Sequence, residues 1–73
     1  MDSVFQVVPA YGMRSQNARP IFKTLEEAMA YGERELETRK SVYVHIYEYY
    51  FGEESYANSW GRTINDNEWR KAQ

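Results

Sequence analysis

The single imidazole of this chain, His45, lies in the run Tyr43-Val44-His45-Ile46-Tyr47-Glu48-Tyr49. Histidine is the side chain best placed to exchange protons near neutral pH. To act as a general acid or base it also needs a cleft and a partner carboxylate within hydrogen-bond reach. Glu48 is near in sequence, but residues three apart in a strand point to opposite faces. His45 therefore reads as a surface histidine stacked between Tyr43 and Tyr47. The sequence holds no nucleophile motif, phosphate loop, dinucleotide fingerprint or metal-ligand cluster. No catalytic residue, cofactor or metal is expected, and the chain reads as a non-enzyme. Glu53 and Glu54 are neighbouring carboxylates without calcium-loop spacing, and they read as a solvated turn.

The same residues are better suited to binding. In an extended segment Tyr43, His45, Tyr47 and Tyr49 share one face. Tyrosine offers a large rigid surface with a polar tip and is enriched at protein interfaces. That points to a protein partner seated on the aromatic row, with Glu53, Glu54, Arg14 and Arg19 at its margins. The same row could stabilise the sheet by cross-strand pairing or serve a homodimer. Exposed sheet aromatics also stack on single-stranded nucleic acid, with Arg14, Arg19 and Lys23 as phosphate contacts. Against this stands the missing basic signature of such sheets, and the turn at Glu53 and Glu54 is acidic. A further reading is acidic mimicry, in which Glu26, Glu27, Glu33, Glu35 and Glu37 join Glu48, Glu53 and Glu54 to fill a nucleic-acid site on a partner.

The elements that must position these residues can be read from periodicity. Val4-Phe5-Gln6-Val7-Val8 is a first strand stopped by Pro9. Residues 9–20 have turn formers at both ends and no period, so they read as a long loop. Thr24-Leu25-Glu26-Glu27 is a capping box. It opens a helix whose stripe is Leu25, Ala28, Met29, Gly32 and Leu36, with Arg39 and Lys40 at the dipole's negative end. Gly32, which costs about 1 kcal/mol in a helix interior, implies a close approach by the sheet. Val42, Val44 and Ile46 form the core face of the next strand, which runs from Val42 to Phe51. A hairpin turn at Phe51–Ser55 leads into a return strand from Tyr56 to Ile64, in which Gly61 marks a bulge. Asn65 as N-cap, Glu68 and the Ile64/Trp69 staple predict a short C-terminal helix whose Trp69 docks on the body. The expected fold is α+β: an antiparallel-rich sheet of about three strands, β-α-β-β, packed on one main helix. Trp60 is expected to join that core.

Length and composition bound the rest. At 73 residues the chain is one domain, 1–73. So short a chain buries only roughly 60% of its unfolded surface. Seven Tyr, three Phe and two Trp supply the extra burial it needs. The lack of Cys excludes disulfides and agrees with a reducing, cytoplasmic setting. No stretch has the length of a membrane span or the pattern of a signal peptide. Net charge is -2, with the surplus of cations in residues 1–23 and the surplus of Glu in residues 24–52. That balance argues against general nucleic-acid binding. Thr24-Leu25-Glu26-Glu27-Ala28 followed by Val42-Tyr43-Val44-His45-Ile46-Tyr47-Glu48 resembles the helix-then-strand layout of small phage-encoded accessory proteins. Inhibitors of host polymerase and of bacterial defence nucleases, including anti-CRISPR proteins, are among them. The resemblance spans residues 22–50. It implies a non-enzymatic inhibitor that occupies a partner's surface, and it carries over no individual residue.

Overall fold

The computed structural model describes residues 2–11, 14–15 and 19–72. Among them are one helix, α1 (Leu25–Glu37), and six strands. The strands are β1 (Ser3–Tyr11), β2 (Arg14–Ser15), β3 (Ile21–Phe22), β4 (Tyr43–Tyr50), β5 (Asn58–Thr63) and β6 (Arg70–Lys71). They form a single sheet in the order β2-β1-β4-β5-β6, with β3 also on β1. Every pairing is antiparallel. The α+β class and the single main helix stand, but the expectation of about three strands and a short C-terminal helix is overturned.

Two of the additional strands, β2 and β3, pair with β1 on either side of Pro9. The register pairs Pro9 with Val44, so β1 runs through the proline to Tyr11. The Val7 amide donates to the Pro20 carbonyl, away from β4. Pro9 has the same parity, so its missing N–H falls on that side, between the β3 pairing at Phe5 and Gln6 and the β2 pairing at Ala10 and Tyr11. A proline that faces such a gap interrupts no ladder bond. Of the expected loop at residues 9–20, positions 12–13 and 16–18 lie outside the described residues.

The expected C-terminal helix is replaced by a turn and β6. Asp66 Oδ2 accepts the Thr63 amide at 3.0 Å, and the Asn65 amide donates to Thr63 Oγ1 at 3.3 Å. These short polar side chains close a tight turn on Thr63 instead of capping a helix. Arg70 and Lys71 then return beside Gly61 and Trp60, and the Ala72 amide donates to the Ser59 carbonyl at 2.8 Å. Nor is there a bulge at Gly61: the β4–β5 register runs unbroken from Tyr43↔Thr63 to Glu48↔Asn58.

The helix begins as its capping box requires. Thr24 is extended (φ -127, ψ 151), and its hydroxyl accepts the Glu27 amide at 3.2 Å and donates to the Glu27 carboxylate at 3.0 Å. Ala28 and Leu36 bury against Phe5, Val7, Val44 and Ile46, and Leu25 and Met29 pack at the margin. Val42 is only half-buried, just ahead of β4. Trp60 flanks this core as expected and meets Phe5 with ring centroids 6.0 Å apart. Trp69 does dock, but from the turn. Its Nε1 donates to Glu33 Oε2 at 3.0 Å, and its ring lies over Gly32. The close approach that Gly32 permits is thus to Trp69 as well as to Val44 of the sheet.

Candidate protein-interaction face

Helix α1 covers one side of the sheet. Strand alternation then assigns the other side from the register: Val4, Gln6, Val8 and Ala10 of β1, Tyr43, His45, Tyr47 and Tyr49 of β4, and Ser59, Gly61 and Thr63 of β5. Helix α1 does not lie on this side, and of the turn that carries Trp69 only Asp66, beside Thr63, is seen at its edge among the described residues. Its rings form a continuous row. Tyr43 meets His45 edge-on with centroids 4.6 Å apart, and His45 meets Tyr47 at 5.8 Å. The row continues through a residue that strand parity would not place there. Tyr56 leans from the β4–β5 connection onto Tyr47 at 4.8 Å and Tyr49 at 6.4 Å. In an extended reading Tyr56 shares the face of Trp60. Because β5 begins only at Asn58, Tyr56 is still in the turn and free of that alternation. A tyrosine directly after Gly-Glu-Glu-Ser is the sequence sign that such freedom was available.

The row is a set of half-exposed rings, with Tyr43 at 37% and Tyr56 at 39% of full exposure. Ile21 of β3, paired with Gln6, adds an apolar edge at 60% exposure. Burial lowers the His45 pKa below its ordinary value, so the ring is neutral at neutral pH. The Tyr47 phenol is pushed up by burial, then by the neighbouring phenols of Tyr56, Tyr43 and Tyr49, while the charge of Arg19 pulls it down. It stays protonated. His45 Nδ1 and the Tyr47 hydroxyl are 2.9 Å apart. Among the described residues no carboxylate is hydrogen-bonded to His45: Asp66, in the groove that His45 lines, is paired with Arg70, and Glu48 lies on the helix side. There Glu48 accepts from the Ser3 hydroxyl at 2.6 Å and the Asn58 amide group at 2.9 Å.

The remaining sequence candidates separate. Arg19 is close enough to influence Tyr47 electrostatically. Arg14 pairs with Tyr11 in β2, and its side chain lies outside the described residues. Glu53 and Glu54 are exposed in the β4–β5 connection, where Gly52 takes φ 88. The acidic surface of the helix is narrower than its Glu count suggests. Glu26, Glu27 and Glu37 are exposed, but Glu33 binds Trp69 and Arg62, and Glu35 accepts from the Ser41 hydroxyl at 3.2 Å. It also faces away from the tyrosine row.

A groove of about 410 Å³ opens beside the row, between Tyr43, His45, Gly61 and Arg70. Arg70 was hidden in the sequence because it fell in the expected helical tail. Among the described residues no group of three or more His, Cys, Asp or Glu is placed to hold a metal ion. None of their helices is long and apolar enough to cross a membrane. No family model, curated protein or solved structure matches this chain. The small α+β domain thus presents an exposed aromatic cluster with acidic residues nearby, a surface suited to protein binding.

Proposed function

We propose that this chain is a non-enzymatic binding module whose protein partner seats on the Tyr43–His45–Tyr47–Tyr49 face, with Tyr56 as part of the same surface. One observation carries the reading: the face opposite α1 is aromatic along the whole of β4, and Trp69 packs on the helix side rather than over it. Rigid, half-desolvated rings with polar tips contribute much of the energy at protein interfaces. The phage-type resemblance extends the proposal to an inhibitor of the anti-CRISPR or host-takeover kind, which acts by covering a working surface of its partner.

The test is a Tyr43→Ala, Tyr47→Ala double variant, first checked for retained fold by circular dichroism. It is compared with the parent chain for partners captured from bacterial extract and for sedimentation behaviour. Loss of capture with an intact fold supports the module. If both partners and sedimentation are unchanged, this face is not the interface.

A further inference from the structure

Across β4, β5 and β6 the residues His45, Gly61 and Arg70 stand in one row, since Gly61 pairs with both of the others. The central member has no side chain. With neighbouring strands about 4.8 Å apart, His45 and Arg70 therefore flank a notch roughly 10 Å wide between backbones. Tyr43 and Thr63 extend its wall to one side. A β-carbon on Gly61 would lie 3.7 Å from both Cδ2 and Nε2 of His45, so that edge of the imidazole faces the notch.

The groups around the notch select a type of ligand. In the tautomer in which the Tyr47 hydroxyl donates to Nδ1, the neutral imidazole carries its hydrogen on Nε2 and presents a donor, and an incoming carboxylate selects that tautomer. Arg70 presents a second. Its side chain is 79% exposed, and among the described residues it pairs with Asp66 at 3.6 Å. An exposed pair at that distance is weak, and the guanidinium can turn to another acceptor. Among the described residues Asp66 is the one carboxylate lining the groove; its Oδ2 accepts the Thr63 amide, and an incoming acid would compete with its Oδ1 for Arg70. The exposed Glu53 and Glu54 lie beyond the far end of β4, at least 15 Å or so away along the strand. Arg19, near Tyr47, adds a second positive charge to the face.

We infer that the notch over Gly61 is an anchor pocket that takes an Asp or Glu side chain from an acidic segment of the partner protein, held between the Arg70 guanidinium and the Nε2 edge of His45. The inference rests on the protein-binding face proposed above and adds the chemistry of its occupant. Two donors and a notch of one residue's width match a single carboxylate. A nucleic-acid strand would set a row of phosphates on the face and need clustered cations along it. A second copy would bring the same Arg19 and Arg70 to the interface rather than complementary carboxylates.

The test pans a displayed library of random dodecapeptides against the whole chain, then measures the enriched peptides and their Asp→Asn and Glu→Gln forms. Peptides that share an Asp or Glu, bind more weakly in high salt, and lose roughly tenfold or more in affinity to Arg70→Glu are the expected result. Gly61→Ala serves as a second variant. Its added carbon meets His45 at ordinary contact distance, so the fold survives while the notch narrows and affinity drops. Enriched peptides that lack an acid and ignore Arg70→Glu, yet are lost with Tyr43→Ala, Tyr47→Ala, overturn the carboxylate pocket and leave the binding face standing. An empty library, or binding indifferent to both tyrosines, overturns both. Oligothymidylate binding tighter than every peptide, or a dimer that the tyrosine substitutions dissolve, also overturns the carboxylate pocket and names the other occupant.

Discussion

The indole of Trp69 lies so close over Gly32 that a β-carbon at Gly32 would stand 2.8 Å from Trp69 Cη2 and 3.1 Å from Val44 Cγ1. Helix propensity alone favours Gly32→Ala by about 1 kcal/mol. Packing opposes it. Val44 is fully buried, and Trp69 is tied to Glu33 by a 3.0 Å hydrogen bond, so neither gives way freely. Overpacking of this kind costs about 1–3 kcal/mol. Urea denaturation of Gly32→Ala is expected to show a net loss of stability, together with a red shift of tryptophan fluorescence as Trp69 is displaced.

The other end of the helix carries a removable strain. Arg39 has φ 60, in the left-handed region, where its amide donates to the Leu36 carbonyl. An L-residue with a β-carbon is disfavoured there by about 1–2 kcal/mol, whereas glycine is not. Arg39→Gly is expected to raise stability by about 0.5–1 kcal/mol after the added freedom of the unfolded chain is subtracted. An unchanged or lower urea midpoint would show that contacts of the Arg39 side chain outweigh the strain.

What the sequence made legible follows from which signals are local. Thr24 and Glu27 mark the helix start because a cap is made within four residues. The alternation of Val44, Ile46 and the tyrosines marks β4 and its two faces because parity needs no partner. Three features were lost, two because they depend on distant residues and one because a local pattern fits two structures. Pro9 reads as a strand stop until β4 is seen to pair on its other side. Asn65 and Asp66 fit a helix cap as well as a turn, and Thr63 decides between them by supplying the amide and hydroxyl they bind. Arg70 reaches the notch only because that turn reverses the chain. Of the candidate site, the four-residue row on β4 was readable, while Tyr56, Gly61 and Arg70 entered through tertiary structure.

Two titrating groups set separate acid windows for stability. Burial holds the His45 pKa below its ordinary 6.5. As pH falls through 6.5 the unfolded chain takes up the proton first, so stability declines from there until the folded chain is also protonated. Besides Val8 and Gly61 beside it, His45 faces Tyr43, Tyr47 and a groove that holds Arg70 and Asp66; that carboxylate is paired with Arg70, and burial sets the direction of the His45 shift. The Asp66 pKa lies below its ordinary 3.8 because the Thr63 amide and hydroxyl stabilise the charged form, with Arg70 and Arg62 adding to this. Its contribution is present above 3.8 and is lost as pH falls through the lower folded value. Urea titrations across pH are expected to show both declines. His45→Gln should flatten the upper one alone, and Asp66→Asn the lower one alone.

Tyr56 allows the structural and the binding roles of the aromatic row to be separated. Its ring is 39% exposed and touches Tyr47 and Tyr49 from a connection, so its removal uncovers little buried surface. Aromatic pairs of this kind contribute about 0.5–1.5 kcal/mol, which sets the expected stability loss in Tyr56→Ala. The Tyr56 phenol also helps to raise the Tyr47 pKa, so Tyr56→Phe should lower the pH at which the Tyr47 phenolate absorbance appears. That spectroscopic shift verifies the contact without disturbing the fold. If the row is an interface, Tyr56→Ala should weaken binding of peptides selected on this face by much more than its stability loss, because a partner desolvates the ring that the folded chain leaves half open. Equal losses in stability and affinity would instead make the row a sheet-stabilising ladder, and the partner would have to seat elsewhere.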